Sequence, residues 1–520
     1  MTGPGGEPGR AGLAGRWRTL WLTLAGTALL LLAILADRMP TVFTDTDDYY
    51  SQGVELWQAA RVNWFGIAPG PDTRSAADKL QAAIDTELSR TQMSARSTSY
   101  SVFLYGLESA GTLWLLAAVQ AACAAWPLLL LMRSAVPRAG PRAYLSTMAG
   151  LAVGSTLPLF AGFAMPDVFA GITVALVALV LLYWPALSRP ERWGVAVLLA
   201  FGLIVHTSHE LLAIVLMPVG AALLWWLRAS WRQAGLRLGI VVGAIIVAIG
   251  INSAYGMVVQ AQTGEKLRHQ PFLMARMLAD GPGRDYLRYA CAHGEHYALC
   301  RFRQLPLDDS EDILWSDLPT TGVFLIANYA TRVQLELEEP RFVLGTLAYA
   351  PLAQLEASVA NWWKQLLLVK VDDPVRNPHY YMTDDYWAKT YLPDMIMSVA
   401  HCGRRGDQCP LRLTPAGSAW WHGSIALAAL IAAGVALVPL LRRRDPETQR
   451  LLALATLIVA AVFFNAGITG VLSGPFARYQ ARLVWLLPAL AAIALTRRAY
   501  DRQALGQLDT GLGECRQHAE

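Results

Sequence analysis

The stretch "TDTDDYY", Thr44 to Tyr50, sets Asp45, Asp47 and Asp48 within four residues, just after a long apolar run. Three chemistries suit such a cluster: a helix cap, a cation site, or a proton acceptor. Asp45 or Thr46 suits an N-cap. Asp47 and Asp48 would then lie in the first turn, where the macrodipole favours each carboxylate by about 0.3–1 kcal/mol. One or two acids suffice for capping, however, and three so close repel one another. A proton-transfer role, a cation or a cationic partner explains the cluster better. On the residues alone, capping and such a role for Asp47 and Asp48 both stay open. The Asp-x-Asp spacing of Asp45 and Asp47 permits a divalent ion such as Mg or Mn without requiring one.

Four other places carry chemistry at apolar boundaries. Asp167 in "MPD" has no basic neighbour in sequence, and a carboxylate at membrane depth is costly unless paired or functional. Its bland alternative is an N-cap directly after Pro166. "HTSHE" gathers His206, His209 and Glu210. This suits polar contact with a substrate or a structural network better than zinc, because H-x-x-H-E lacks the strength of H-E-x-x-H. "SGPFARYQAR" sets Arg478 and Arg482 on one helical face, where a planar fork of donors can hold phosphate. The bland alternative is snorkelling to lipid headgroups. Arg96 in "SARSTSY" is a further substrate-contact candidate. Glu108, at or inside the outer end of the second span, is a weaker candidate, and the "NPHYYMTDDYW" stretch, with His379, Asp384 and Asp385, suits sugar hydroxyls or an ordinary wet loop equally well.

The elements that must position these residues are membrane spans. Apolar residues make up 54% of the 520-residue chain and charged residues 16%, well below the quarter usual in soluble domains. About ten segments are long and apolar enough to cross a bilayer, near 18–36, 109–132, 144–164, 168–186, 193–209, 211–227, 238–257, 418–441, 450–471 and 482–496. The first reads as uncleaved, because "ADRMPTVF" is a poor cleavage site. Arg133, Arg138, Arg142, Arg189, Arg192, Arg228, Arg232, Arg237, the run Arg442 to Arg444, Arg497, Arg498 and Arg502 then share one side. By the positive-inside rule that side is cytoplasmic, with both termini. "FAMPD" and "HTSHE" lack Lys and Arg and lie outside, so Arg478 and Arg482 stand where the rule disfavours them.

The expected architecture is an all-α polytopic membrane protein with two large extracytoplasmic loops. A cytoplasmic tail (1–17) precedes an N-terminal membrane domain (18–257) holding the first loop (37–101). A loop domain (258–417), C-terminal membrane helices (418–496) and a second cytoplasmic tail (497–520) follow. The periodicity predicts an amphipathic helix over 75–90 and another from Tyr50 to Trp64. The stretch 342–369 is long and apolar but holds Pro351, Glu356 and Lys364, and reads as interfacial or re-entrant. Cys291, Cys300, Cys402 and Cys409 fall in the second loop and allow three pairings. Close spacing favours Cys291–Cys300 and Cys402–Cys409 in an oxidising compartment. No run of bases interleaved with aromatics suggests nucleic acid, and no P-loop, GxGxxG or GxSxG is present.

An acidic motif in the first outer loop, interfacial helices behind it and a second acid (Asp167) in the next outer loop resemble the GT-C class of membrane glycosyltransferases. The resemblance covers roughly residues 18–260; the cysteine-bearing loop matches no known module. Asp-Thr-Asp-Asp is neither a clean Asp-Glu nor a single Asp-x-Asp, which leaves the identity of the base open. The resemblance implies transfer of a sugar from a polyprenyl-phosphate donor to an acceptor on the extracytoplasmic face, with the membrane lipid and the lipid-linked sugar as partners. Asp47 or Asp48 would take the acceptor's proton, and Arg478 and Arg482 would hold the donor phosphate. The matching location is a bacterial inner membrane. A transporter or lipid flippase would want mid-bilayer charges and a repeat, and neither is evident. A non-catalytic membrane scaffold is the third reading.

Overall fold

The computed structural model describes residues 8–36, 40, 44–66, 96–264, 266–371 and 415–517. Among them the regular elements are helices with no β-strand, and the chain is an all-α polytopic membrane protein. Eight described stretches are long and apolar enough to span: 16–36, 113–135, 168–186, 207–226, 231–261, 417–442, 446–472 and 477–503. They lie in α1 (Pro8–Ala36), α4 (Leu113–Ala135), α7 (Val168–Ala178, prolonged by a π-helical turn), α9 (Thr207–Trp226), α10 (Trp231–Thr263), α16 (Pro415–Leu437), α17 (Pro446–Leu472), and the pair α18 (Ala477–Val484) and α19 (Leu486–Gln517).

Two expected spans come out differently. The segment 144–164 is broken into α5 (Pro141–Gly154) and α6 (Leu157–Gly162). At the break the Ser155 hydroxyl donates to the Leu151 carbonyl at 2.7 Å, and Pro158 starts a new helix. The segment 193–209 becomes α8 (Arg189–Ile204), of 16 residues. At 1.5 Å per residue that is about 24 Å, short of a bilayer core. It stops because His206 caps the next helix, its Nδ1 accepting from the Ser208 amide at 3.1 Å.

The bundle is built around α7. Its sequence is apolar on every side, and all its residues are buried, as expected of a helix with no polar face. Gly171 leaves room for Trp485, since a Cβ there would sit 2.6 Å from the indole. The short Arg-bearing turns meet at one end. Arg133 forks onto Glu191 with both distances 2.9 Å, Arg443 donates to Asp501 at 2.6 Å, and Arg498 to the Val435 carbonyl at 2.7 Å.

At the other end, α2 (Thr44–Phe65) packs along α3 (Thr98–Ala110). Gly53 permits the close approach: a Cβ there would lie 2.4 Å from the Ser101 carbonyl. Tyr49 meets Tyr100 edge to face at 5.1 Å. The Tyr100 hydroxyl donates to Gln120, whose amide donates to the Ala161 and Phe163 carbonyls at 3.0 and 2.8 Å. That chain of bonds satisfies the carbonyls left open where α6 ends. It also ties the second turn of α2, through Tyr49, to the segment carrying Asp167.

Residues 266–371 form a helical loop domain with its own core, including Leu278, Leu287, Leu335 and Phe342. It contains α11 (Phe272–Asp280), α12 (Pro282–Ala292), α13 (Ser310–Trp315), α14 (Tyr329–Tyr349) and α15 (Pro351–Leu367). The expected Cys291–Cys300 disulfide is formed. The apolar stretch of 342–369 is bent by 105° between α14 and α15. α15 lies on α17, with Trp362 donating to the Phe463 carbonyl at 2.9 Å, while Leu352, Leu355, Val359 and Trp363 stay exposed. The 75–90 helix, Cys402, Cys409 and the "NPHYYMTDDYW" stretch lie outside the described residues.

The α2–α3 contact gives a direct test. Gly53→Leu overpacks it and should cost about 1–3 kcal/mol, read as a lower thermal midpoint in detergent. Gly106→Ala, which meets nothing within 4 Å, should leave the midpoint unchanged or raise it slightly.

Candidate functional site

At the end opposite the Arg-bearing turns, a cavity of about 870 Å³ opens between the bundle and the loop domain. Asp45, Arg96, Asp167, His206, Glu210, Arg478 and Arg482 all line it. These sequence candidates come from α2, the turn before α3, the turn before α7, α9 and α18. Tertiary structure brings them to one space.

The deepest of them is Arg482. Its side chain is 1% exposed and pairs with the 4% exposed Asp167 at 3.0 Å. The same guanidinium donates to the Ser208 hydroxyl at 2.9 Å and approaches the Asn465 carbonyl oxygen at 3.4 Å. Asn465 is itself oriented, its amide donating to the Tyr479 carbonyl at 2.7 Å and to Gln480 at 3.0 Å. Asp167 does stand at the N-cap position of α7, but its backbone is already helical and its side chain makes no capping bond. The capping alternative is not realised; Asp167 is paired, and an unpaired Arg482 in that setting would be far more costly.

One turn earlier, Arg478 points the same way, as residues four apart on a helix do. It reaches Asp45 at 2.9 Å. The other Asp45 oxygen takes Arg96 at 2.6 Å. Asp45 is thus clamped between two guanidinium groups, each mostly buried (17% and 19% exposed). Burial alone would raise the Asp45 carboxyl, but Arg478 and Arg96 outweigh it and hold it below the usual carboxylate range. Arg96 also contacts Asp48 at 3.2 Å and lies over the Tyr49 and Trp315 rings, 5.8 and 5.7 Å from their centroids. Trp315 belongs to the loop domain, so Arg96 joins the two parts of the molecule. Tyr479 sits between Arg478 and Arg482, 5.2 Å from each.

The acidic triplet separates by position. α2 already begins at Thr44, so Asp45 and Thr46 are inside the helix and do not cap it. The Thr46 hydroxyl instead donates to the Ala164 carbonyl at 3.1 Å. Asp48 is 54% exposed at the side chain. Crowding by protein still lifts its carboxyl above the usual range, against the pull of Arg96. The Asp47 side chain lies outside the described residues. Both Asp45 oxygens are engaged by arginine, so a divalent ion bound there would have to displace a guanidinium. Among the described residues no group of three or more His, Cys, Asp or Glu comes together to hold a metal.

His206 lines the cavity as the α9 cap, and His209 lies behind it, stacked at 5.1 Å. His209 Nδ1 is 2.8 Å from the Gly202 carbonyl. Glu210 is 7% exposed and accepts from Asn252 of α10 at 3.0 Å. The sequence reading missed Tyr49, Ser208, Asn252, Trp315 and Asn465. Asn252 and Asn465 carried a legible signal, being polar residues inside apolar spans. Trp315, far away in a polar loop, carried none. No family model, curated protein or solved structure matches the chain.

The buried pair makes a stability prediction. Asp167→Ala or Arg482→Ala alone strands a buried charge and should cost about 3–5 kcal/mol. The double variant Asp167→Leu with Arg482→Met should recover much of that loss. Thermal unfolding of the three proteins in one detergent checks it.

Proposed function

We propose that the protein is a membrane glycosyltransferase that moves a sugar from a polyprenyl-phosphate donor to a hydroxyl acceptor, within the cavity between the bundle and the loop domain. The observation that carries the reading is the Arg96–Asp45–Arg478 clamp. Two mostly buried guanidiniums at one carboxylate, on the wall of a cavity of ligand size, suit an anionic substrate that arrives beside a proton acceptor. In this reading the Arg-bearing turns and both termini face the cytoplasm of a bacterial inner membrane, and the cavity faces outward. The charges gather at one end of the spans, which fits surface chemistry on a lipid headgroup better than transport through the bilayer.

The chemistry uses the clamp twice. The donor phosphate draws Arg478 and Arg96 from Asp45 onto its own oxygens, in the planar, forked geometry that arginine favours. Released from both cations, the Asp45 carboxylate becomes more basic and accepts the acceptor's hydroxyl proton. The acceptor oxygen bonds to the anomeric carbon as the bond from that carbon to the phosphate oxygen breaks. The electron pair leaves on the phosphate, where the two guanidiniums stabilise it. The base is placed on Asp45, because of the two acids of the triplet whose side chains are described, Asp45 and Asp48, it is Asp45 that lines the cavity. Asp48 holds Arg96 from the other side. Arg482, occupied by Asp167, Ser208 and Asn465, anchors the helix that aims Arg478.

Transfer from polyprenyl-phosphate sugars by the purified protein in lipid nanodiscs tests this. Asp45→Asn should lower kcat about 10²–10⁴-fold, and Arg478→Ala about 10²–10³-fold. Both variants retaining wild-type transfer would sink the assignment. The pH profile carries a second check. The base works deprotonated, so activity falls as pH falls through its pKa. In the free enzyme Arg478 and Arg96 depress that pKa, so the acid limb of kcat/KM should lie below the ordinary carboxylate range. In the complex the phosphate holds both arginines, so the acid limb of kcat should lie higher.

A further inference from the structure

One side of the cavity is neither phosphate-like nor apolar. α9 and α10 there present Glu210, Asn252, Ser253 and Gln260, beside Leu211, Ile249 and Met257. Gln270, from the start of the loop domain, completes that wall. Glu210 lies in the first turn of α9, where the macrodipole stabilises its charge. That accounts for a tolerated carboxylate. It does not account for Asn252, placed within an apolar span so that its amide donates to one Glu210 oxygen at 3.0 Å. A polar side chain inside a span is costly unless it has work to do. Asn252 fixes the carboxylate's orientation. The second Glu210 oxygen and the Asn252 carbonyl oxygen remain as acceptors. Gln270 adds a third: it is 4% exposed, and its Oε1 is buried with no hydrogen-bond partner among the described residues. A buried acceptor without a donor is expensive, and a ligand rich in O–H groups would supply donors to all three.

The position fits as well as the chemistry. Glu210 follows Ser208 by two residues, about 3 Å along the helix axis. Ser208 holds Arg482, which lies one turn beyond Arg478 on α18. The acceptor wall and the arginines line one and the same cavity, as a phosphate and the sugar bonded to it require. We infer that Glu210, oriented by Asn252 and assisted by Gln270, forms the hydroxyl-binding subsite that holds the transferred sugar and sets which sugar is accepted. The inference rests on the phosphate-linked donor proposed above. Glu210 and Gln270 act as specificity residues and take no proton in the reaction.

Equilibrium binding in nanodiscs separates the two ideas. The probes are farnesyl phosphate without a sugar, and farnesyl phosphate carrying glucose, mannose or galactose. Wild type should hold at least one sugar-bearing probe more tightly than the bare one. Glu210→Gln keeps the size and the Asn252 contact but weakens the acceptor, and should reduce affinity for that probe about tenfold. Affinity for farnesyl phosphate should stay as in wild type, which also shows that the variant is folded. Gln270→Leu should act the same way, less strongly, and Glu210→Asp should regain part of the loss. If both kinds of probe weaken together, if neither weakens, or if wild type prefers no sugar-bearing probe, the subsite is refuted and the phosphate site stands. If wild type binds no probe better than Arg478→Ala does, the phosphate site itself fails, and the subsite with it.

Discussion

The Arg482–Asp167 pair is the constraint on which the site depends. Both side chains are almost fully removed from water. Neither can be kept there alone, since an uncompensated buried charge costs several kcal/mol. The pair therefore fixes where α18 meets the turn before α7. Ser208 and Asn465 add contacts from α9 and α17 to the same guanidinium. Three other elements converge on this one side chain of α18. Once Arg482 is placed, helical geometry leaves Arg478 little choice: it must point toward the same space, one turn nearer the surface, and there it meets Asp45.

Asp45 is placed from its own side by packing rather than by charge. The missing side chain at Gly53 lets α2 approach α3. Tyr49, Tyr100 and Gln120 then link the second turn of α2 to the backbone around residues 161–163. The Thr46 hydroxyl adds a bond to the same segment. The acid and the arginines are thus set by two largely independent frameworks that share the stretch from Ala161 to Asp167. Trp315 brings in a third, because the loop domain reaches the site through its contact with Arg96. A shift of that domain would bear on Arg96 first.

Residue cost made much of this site legible in sequence. Asp167, Glu210, Arg478 and Arg482 stood out because ionised groups near a bilayer are rare without a partner or a task, and the structure brings all four to one cavity. Nine-residue spacing likewise pointed to Cys291–Cys300, which is formed. That Asp45 rather than Asp48 lines the cavity was not legible. The two lie on one helix at about 100° per residue, so their side chains leave it in different directions. Nothing local says which direction is inward.

Composition and periodicity alone determined that the chain is helical, crosses a membrane many times, and keeps its arginine-bearing short turns apart from its acidic ones. These follow from the bilayer's demand for about 20 apolar residues with internally satisfied backbones, which acts on each segment separately. Tertiary structure decided the rest. It broke the 144–164 segment in two, and it gave Asp167 an ion partner, Arg482, with no capping bond. The Asp167–Arg482 pair joins residues 315 apart in sequence, and at the break Thr156, beside the local Ser155 and Pro158, donates to the Ala481 carbonyl 325 residues away. Local patterns carry no record of such distant partners; only the burial of a charge and the need to neutralise it selects them.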